Sequence, residues 1–211
     1  MQLSPDRFNR FLNKMGQGVE WRRAIDCPCR NPHSGGANPS CPVCRGTGQS
    51  WDEPLSGTVA LTGQQIQRQW ANFGLWEKGD VVVSLPGDSP LYAMGEFDRV
   101  RFMDSSEPFS RVLVRGRETL HMIAVVSLDR AVVLENGALV ELPAPVLDEH
   151  GLPDWPNFDG PPPGVTYTLA GRAYPEYFCY GDFPQDRAHH HGEPLPRKVV
   201  LRKFDLFGRT R

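Results

Sequence analysis

Cys27, Cys29, Cys41 and Cys44 crowd into one short stretch that has little else to fold with. Residues 26–50 are rich in Pro, Gly, Asn and Ser, a composition that cannot assemble a hydrophobic core. The spacing is Cys27-Pro-Cys29, eleven residues, then Cys41-Pro-Val-Cys44-Arg-Gly-Thr-Gly48. A C-x2-C turn sets two thiolates on the same side of a tight loop. The glycines that follow let the backbone curl so that its amides face the sulfurs. Four thiolates suit a tetrahedral zinc ion, and metal binding then supplies the ordering free energy that apolar burial cannot. With all four positions taken by protein, such a site is structural rather than catalytic.

Two other states of the same cysteines stay open. A [4Fe-4S] cluster also takes four cysteine ligands, and a pair of disulfides would follow release from the cell. His33 lies between the pairs and is an alternate ligand in place of one cysteine. Arg22, Arg23, Arg30 and Arg45 flank the segment and would offset the two negative charges of a tetrathiolate site. The second half matches the C-x2-C-x-G-x-G repeat of DnaJ-type zinc-binding chaperone modules, over residues 41–48 alone. One such repeat does not make a chaperone.

The rest of the 211-residue chain is long enough to bury a real core. Its 21 glycines and 20 prolines argue for many turns and against long helices. Residues 4–16 are the exception. Ser4 can cap, Pro5 fits the first helical position, Phe8, Phe11, Leu12 and Met15 share a face, and Gly16 stops the helix. Strand patterns then follow at Ser56–Gly63, Val81–Leu85, Leu91–Met103, Phe109–Arg115, Thr119–Leu128 and Ala131–Leu142. The last contains Asn136-Gly137, a strong hairpin signal. Residues 143–164 hold seven prolines and three glycines and read as a long loop. Strand character resumes at Val165–Tyr180, lapses into a loop over 181–197, and returns at Val199–Phe207. The expected fold is mainly β: an antiparallel barrel or sandwich with a short N-terminal helix and a four-cysteine metal-binding loop. The expected organisation is a lead-in over 1–25, the cysteine loop over 26–50 and one β domain over 51–211.

A formal net charge of -2 gives no electrostatic case for a nucleic-acid or membrane partner. Charge is uneven, however: Arg197–Arg211 holds six basic residues against Asp205 alone. There is no apolar run of the roughly 18 residues a membrane span needs. Nor does the N-terminus carry a basic region followed by an apolar one, so the thiols are expected to begin in a reducing cytoplasm.

Other chemistry-bearing residues read as structural. Cys179 lies between Phe178 and Tyr180 in a strand and reads as a small core residue. His189-His190-His191 reads as a solvated loop, and His121 as structural. Asp80, Glu96 and Asp98 look like turn and strand-end chemistry. No Ser-His-Asp signature, phosphate loop or dinucleotide fingerprint is present, so no enzyme is expected. Trp51, Trp70, Phe73 and Trp76 read either as an anchor for the cysteine loop or, for Trp70, Phe73 and Trp76, as an interface.

Several of these motifs together resemble a family of tailed-bacteriophage and prophage virion proteins encoded near the head-tail junction. The resemblance is carried by Trp21-Arg22-Arg23, Cys41-Pro-Val-Cys44-Arg-Gly-Thr-Gly48, Gly95-Glu-Phe-Asp-Arg99, Leu195-Pro-Arg-Lys-Val-Val-Leu-Arg202 and Phe204-Asp-Leu206. It implies a non-enzymatic neck, collar or tail component, assembled in the host cytoplasm into the virion as a ring of copies. Its partners would be other neck, portal-adaptor or tail subunits. Two alternatives remain: a zinc-ribbon-like nucleic-acid-binding protein, and an iron-sulfur-bearing tail-tip component.

Overall fold

The computed structural model describes residues 4–74, 76–118, 120, 123–157, 160–182, 189–190 and 192–207. The fold is mainly β and divides into two compact units, Met1–Asp104 with Glu176–Arg211, and Ser105–Pro175. The first, the barrel unit, runs α1 (Pro5–Met15), β1 (Gln17–Arg22), β2 (Ala24–Asp26), β3 (Gln49–Trp51), β4 (Leu55–Leu61), α2 (Gln64–Asn72), β5 (Val81–Leu85), a 3-10 turn (Pro90–Ala93) and β6 (Arg99–Phe102). The inserted unit follows with β7 (Glu107–Val114), β8 (Val125–Glu135), β9 (Ala138–Leu142), β10 (Val146–Leu147), β11 (Pro153–Asp154) and β12 (Thr166–Ala173). The chain then returns to the barrel unit with β13 (Glu176–Asp182), β14 (His189–His190), β15 (Glu193–Pro194), β16 (Arg197–Lys203) and a second 3-10 turn (Phe204–Leu206).

Six strands close the barrel in the order β1-β4-β5-β16-β13-β6, every neighbour antiparallel. Its interior is filled by Val19, Trp21, Val59, Val83, Leu85, Val100, Phe102, Val199 and Leu201, among others. Alternation explains why β5 and β16 read as unbroken apolar runs. Val83 and Val199 point inward, whereas Val82 and Val200 lie in a second cluster with Ile66 and Trp70 of α2. Trp70 donates its indole N–H to Asp80 at 3.0 Å, and Asp80 takes Arg202 through both carboxylate oxygens at 3.0 and 2.9 Å. Burial works against the guanidinium charge, but Asp80 more than offsets it and holds Arg202 above its ordinary pKa.

The inserted unit is a four-stranded antiparallel sheet ordered β7-β12-β8-β9. One face packs Leu113, Ala131, Val133, Tyr167 and Leu169 with Leu120 and Trp155. The Asn136-Gly137 hairpin forms as expected, both residues at positive φ (50° and 81°), joining β8 to β9.

Several expected boundaries differ. Leu91–Met103 is not one strand. Ser89 caps a 3-10 turn by accepting from the Leu91 N–H (3.2 Å), Phe97 takes φ 70°, and only Arg99–Phe102 is extended. The strand expected at Thr119–Leu128 begins at Val125 and runs on to Glu135. Val165–Tyr180 is two strands belonging to different units, parted before Glu176. Within the 143–164 excursion β10 and β11 pair as a short hairpin. Helix α2 was not anticipated. No helix among the described residues is long and apolar enough to cross a membrane.

Candidate metal centre

The loop between β2 and β3 brings Cys27, Cys29, Cys41 and Cys44 together, with all four sulfurs within 4.8 Å of one another. Cys27 and Cys41 are 3.8 Å apart and Cys29 and Cys44 are 3.4 Å apart, Sγ to Sγ. None is in a disulfide. Three of the thiols are buried and Cys29 is half-buried.

Local backbone chemistry builds this cage. The β2–β3 stem pairs Asp26 with Gln49, and the Cys27 N–H closes the loop on the Gly48 carbonyl at 2.9 Å. The Arg45 N–H bonds the Cys41 carbonyl (2.8 Å) and the Thr47 N–H the Cys44 carbonyl (3.0 Å), so the C-x2-C turn curls as its sequence demands. Gly46 adopts φ 86°, and a Cβ there would come within 3.3 Å of the Pro39 Cα. Asn31 and Asn38 cap the intervening turns through their side-chain oxygens.

Those amides act on the sulfurs. The N–H groups of Cys44 and Val43 draw the Cys41 thiol below its ordinary pKa. Burial opposes ionisation of Cys44, but the Gly48 and Gly46 amides and the Cys29 thiol bring it down to about 6. For Cys29, the Asn38 amide favours the thiolate, yet burial and the three neighbouring thiols push it up to about 12. Four thiolates at this spacing repel one another, and a bound cation removes that penalty.

A second layer ties the loop to the barrel. Asp98, buried just before β6, accepts from the Trp21 indole (2.7 Å), the Ala24 N–H (2.7 Å) and the Gly95 N–H (2.8 Å). Trp51, at the end of β3, donates to the Phe97 carbonyl at 3.1 Å and packs edge-on against Phe204 and Phe207. Arg99 lies 4.1 Å over the Phe204 ring. Sequence reasoning read Asp98 as turn chemistry and missed this hub. Its one signal is an acid placed three residues after Gly95 in a turn that leads into a strand.

The other expected residues fall elsewhere. His33 is exposed and stands outside the thiol cluster. Arg30 pairs with Asp26 at the stem. Of the four aromatic residues expected to act together, Trp51 alone packs beside the loop stem. Trp70 is buried on the inner face of α2 beside Val82 and Val200, whereas Phe73 and Trp76 are exposed. Cys179 lies inside the barrel, where burial pushes its thiol up to about 12. His189 and His190 form a two-residue pairing with Glu193–Pro194, while His121, His191 and the basic residues of 208–211 lie outside the described residues.

No protein-family model matches the chain, and no curated protein matches it.

Proposed function

We propose that this chain is a non-enzymatic structural component of a tailed-phage virion, at the head-tail neck or collar, whose cysteine loop is closed round one zinc ion. Sulfur spacing carries the metal half of this reading. A Zn–S bond of about 2.3 Å in a tetrahedron sets sulfurs about 3.8 Å apart. The two closest pairs, at 3.8 and 3.4 Å, in a cluster whose four sulfurs all lie within 4.8 Å of one another, support a single ion. A four-iron cluster binds each thiolate to a different iron and needs a wider cage. A disulfide needs sulfurs at about 2.0 Å. When bound, zinc supplies a cross-link between Cys27/Cys29 and Cys41/Cys44 and offsets half of the charge of the four thiolates. The chain's own residues do the rest: the turn amides aim at the sulfurs, and the β2–β3 stem fixes the loop's base.

Four protein ligands leave no open coordination position, which supports a packing role over catalysis. The virion half rests on the resemblance of the motifs, and the fold gives those motifs coherent work. Trp21 and the Gly95–Arg99 turn meet at Asp98, and residues 197–202 supply most of β16. The partners would be neck, portal-adaptor or tail subunits and further copies of this chain. Mass spectrometry of purified particles from a phage or prophage encoding the chain tests the reading. Stoichiometric recovery with other neck proteins is the expected result, and absence from particles overturns it.

A further inference from the structure

The sulfurs of the cysteine loop approach one another across the loop. The closest pairs are Cys29 with Cys44, at 3.4 Å, and Cys27 with Cys41, at 3.8 Å, and each joins the first half of the loop to the second. Neither is a pair of sequence neighbours. Exposure is uneven as well. Cys27, Cys41 and Cys44 are buried, whereas Cys29 is half-buried. A small oxidant arriving from solvent therefore meets Cys29 first, and the sulfur beside it is Cys44.

The cage has no apolar core, and its thiolates repel one another unless a cation sits among them. Disulfides are a second way to hold it shut. They are neutral, so the repulsion disappears, and a disulfide that closes a longer stretch of chain constrains that chain more. Cys29–Cys44 and Cys27–Cys41 would span 15 and 14 residues and tie the two halves together. Bonds within Cys27-Pro-Cys29 or Cys41-Pro-Val-Cys44 would close only a turn and leave the halves unconnected. For the nearer pair, the sulfurs have about 1.4 Å to travel to reach the roughly 2.0 Å of an S–S bond.

We propose that the loop is a peroxide-sensitive site with two alternative closures: zinc while its thiols are reduced, and the cross-loop disulfides Cys29–Cys44 and Cys27–Cys41 once they are oxidised. This rests on the zinc reading above and adds what the site becomes outside a reducing compartment. A protein assembled in a cytoplasm and then carried out of it meets both conditions. The Cys29 thiolate attacks one oxygen of hydrogen peroxide, the O–O bond breaks, and hydroxide leaves and takes up a proton as water. The Cys44 thiolate then attacks the sulfur of the Cys29 sulfenic acid, forming the S–S bond and releasing a second water after protonation. With two ligands gone the ion is free to leave, and Cys27 and Cys41 react in the same way with a second peroxide. In sum, four thiolates, two hydrogen peroxides and four protons give two disulfides and four waters, and zinc is released unchanged. Cys179 takes no part, because it lies inside the barrel. The loop thus exchanges an ion for covalent bonds and stays ordered.

The test uses the full chain, isolated under reductant, in two portions. One is treated with excess hydrogen peroxide, the other with a chelator while reductant is kept present. Metal content, amide exchange over residues 26–50 and the disulfide linkages are measured, the last by mass spectrometry of the linked peptides, fragmented to show which sulfurs are joined. Peroxide is expected to release zinc, to produce Cys29–Cys44 and Cys27–Cys41, and to leave exchange in the loop as slow as before. Chelator is expected to release zinc and to speed exchange there by about tenfold or more. Thiol reductant with added zinc should return the oxidised portion to its starting state. Zinc retained against peroxide, bonds within a sequence pair, sulfinic or sulfonic acids, links between chains, or fast exchange in the oxidised loop overturns the proposal. A chain that holds no zinc before treatment brings down the zinc reading and this exchange with it. A chain that holds zinc but gives other products brings down the exchange alone.

Discussion

Trp21 donates its indole N–H to Asp98 Oδ2 at 2.7 Å, and both side chains are buried. The same carboxylate holds the Ala24 and Gly95 amides. One acid thus joins the end of β1, the base of the cysteine loop and the turn entering β6. Replacing it by Ala would strand buried donors, each costing about 1–3 kcal/mol. Asp98→Ala is expected to lose about 3 kcal/mol or more in urea unfolding. Asp98→Asn should lose less, because one acceptor and the shape remain. A wild-type urea midpoint in Asp98→Ala would refute the hub.

Cys41 shows whether the loop depends on metal while the barrel does not. Cys41→Ser removes a thiolate from a cage that has no apolar core to fall back on. Bound metal, measured by plasma mass spectrometry, is expected to fall from one per chain to near zero. Amide exchange should rise across residues 26–50 and stay slow in β5 and β16. Treating wild type with a chelator should reproduce the exchange pattern. Undiminished metal in Cys41→Ser would sink the assignment.

Cys179 gives a pH dependence with a definite sign. Burial, reinforced by the charges of Asp98 and Asp182, raises its thiol from 9.0 to about 12. The folded state therefore holds this proton more tightly than the unfolded state. That contribution is complete below pH 9.0 and is lost as pH rises toward about 12. The melting temperature is expected to fall through this window, and to fall less steeply in Cys179→Ala. Parallel slopes in the two proteins would contradict it.

Gly171 lies at a register shift between β12 and β8. A Cβ there would sit 2.1 Å from the Ser127 carbonyl oxygen and 3.0 Å from the Leu128 Cα, and neither backbone atom can step aside cheaply. Gly171→Ala is expected to cost about 1–3 kcal/mol. Hydrogen exchange should quicken in β7, β8 and β12 while the barrel strands keep their protection. Equal quickening in both units would show that they unfold together.

The parts legible in the sequence were those with local causes. The cysteine spacing, the Pro5-to-Gly16 helix and the Asn136-Gly137 turn each announce themselves within a few residues. The division into two units was not legible, because Val165–Tyr180 reads as one strand-rich run and the different pairing partners of β12 and β13 are set far away along the chain. Helix α2 was missed because Ile66 and Trp70 are its chief apolar contacts and Gly63 gives no side-chain cap. The 3-10 turn at Pro90–Ala93 was taken for strand because Leu91 and Met94 are core residues there without being extended. Asp98 was misread because a buried turn acid and a solvated one have the same local sequence. What separates them is Trp21, far away along the chain.

The inserted unit enters and leaves between β6 and β13, which are themselves hydrogen-bonded neighbours, with Arg101 facing Glu176. To the barrel, residues 105–175 amount to a single hairpin connection. Lengthening such a connection adds only about 0.6 kcal/mol of closure entropy per doubling. Evolution can therefore rewrite, enlarge or exchange that segment while the ring of hydrogen bonds that closes the barrel stays as it is. The barrel is the socket, and the inserted sheet is the part a lineage is free to change.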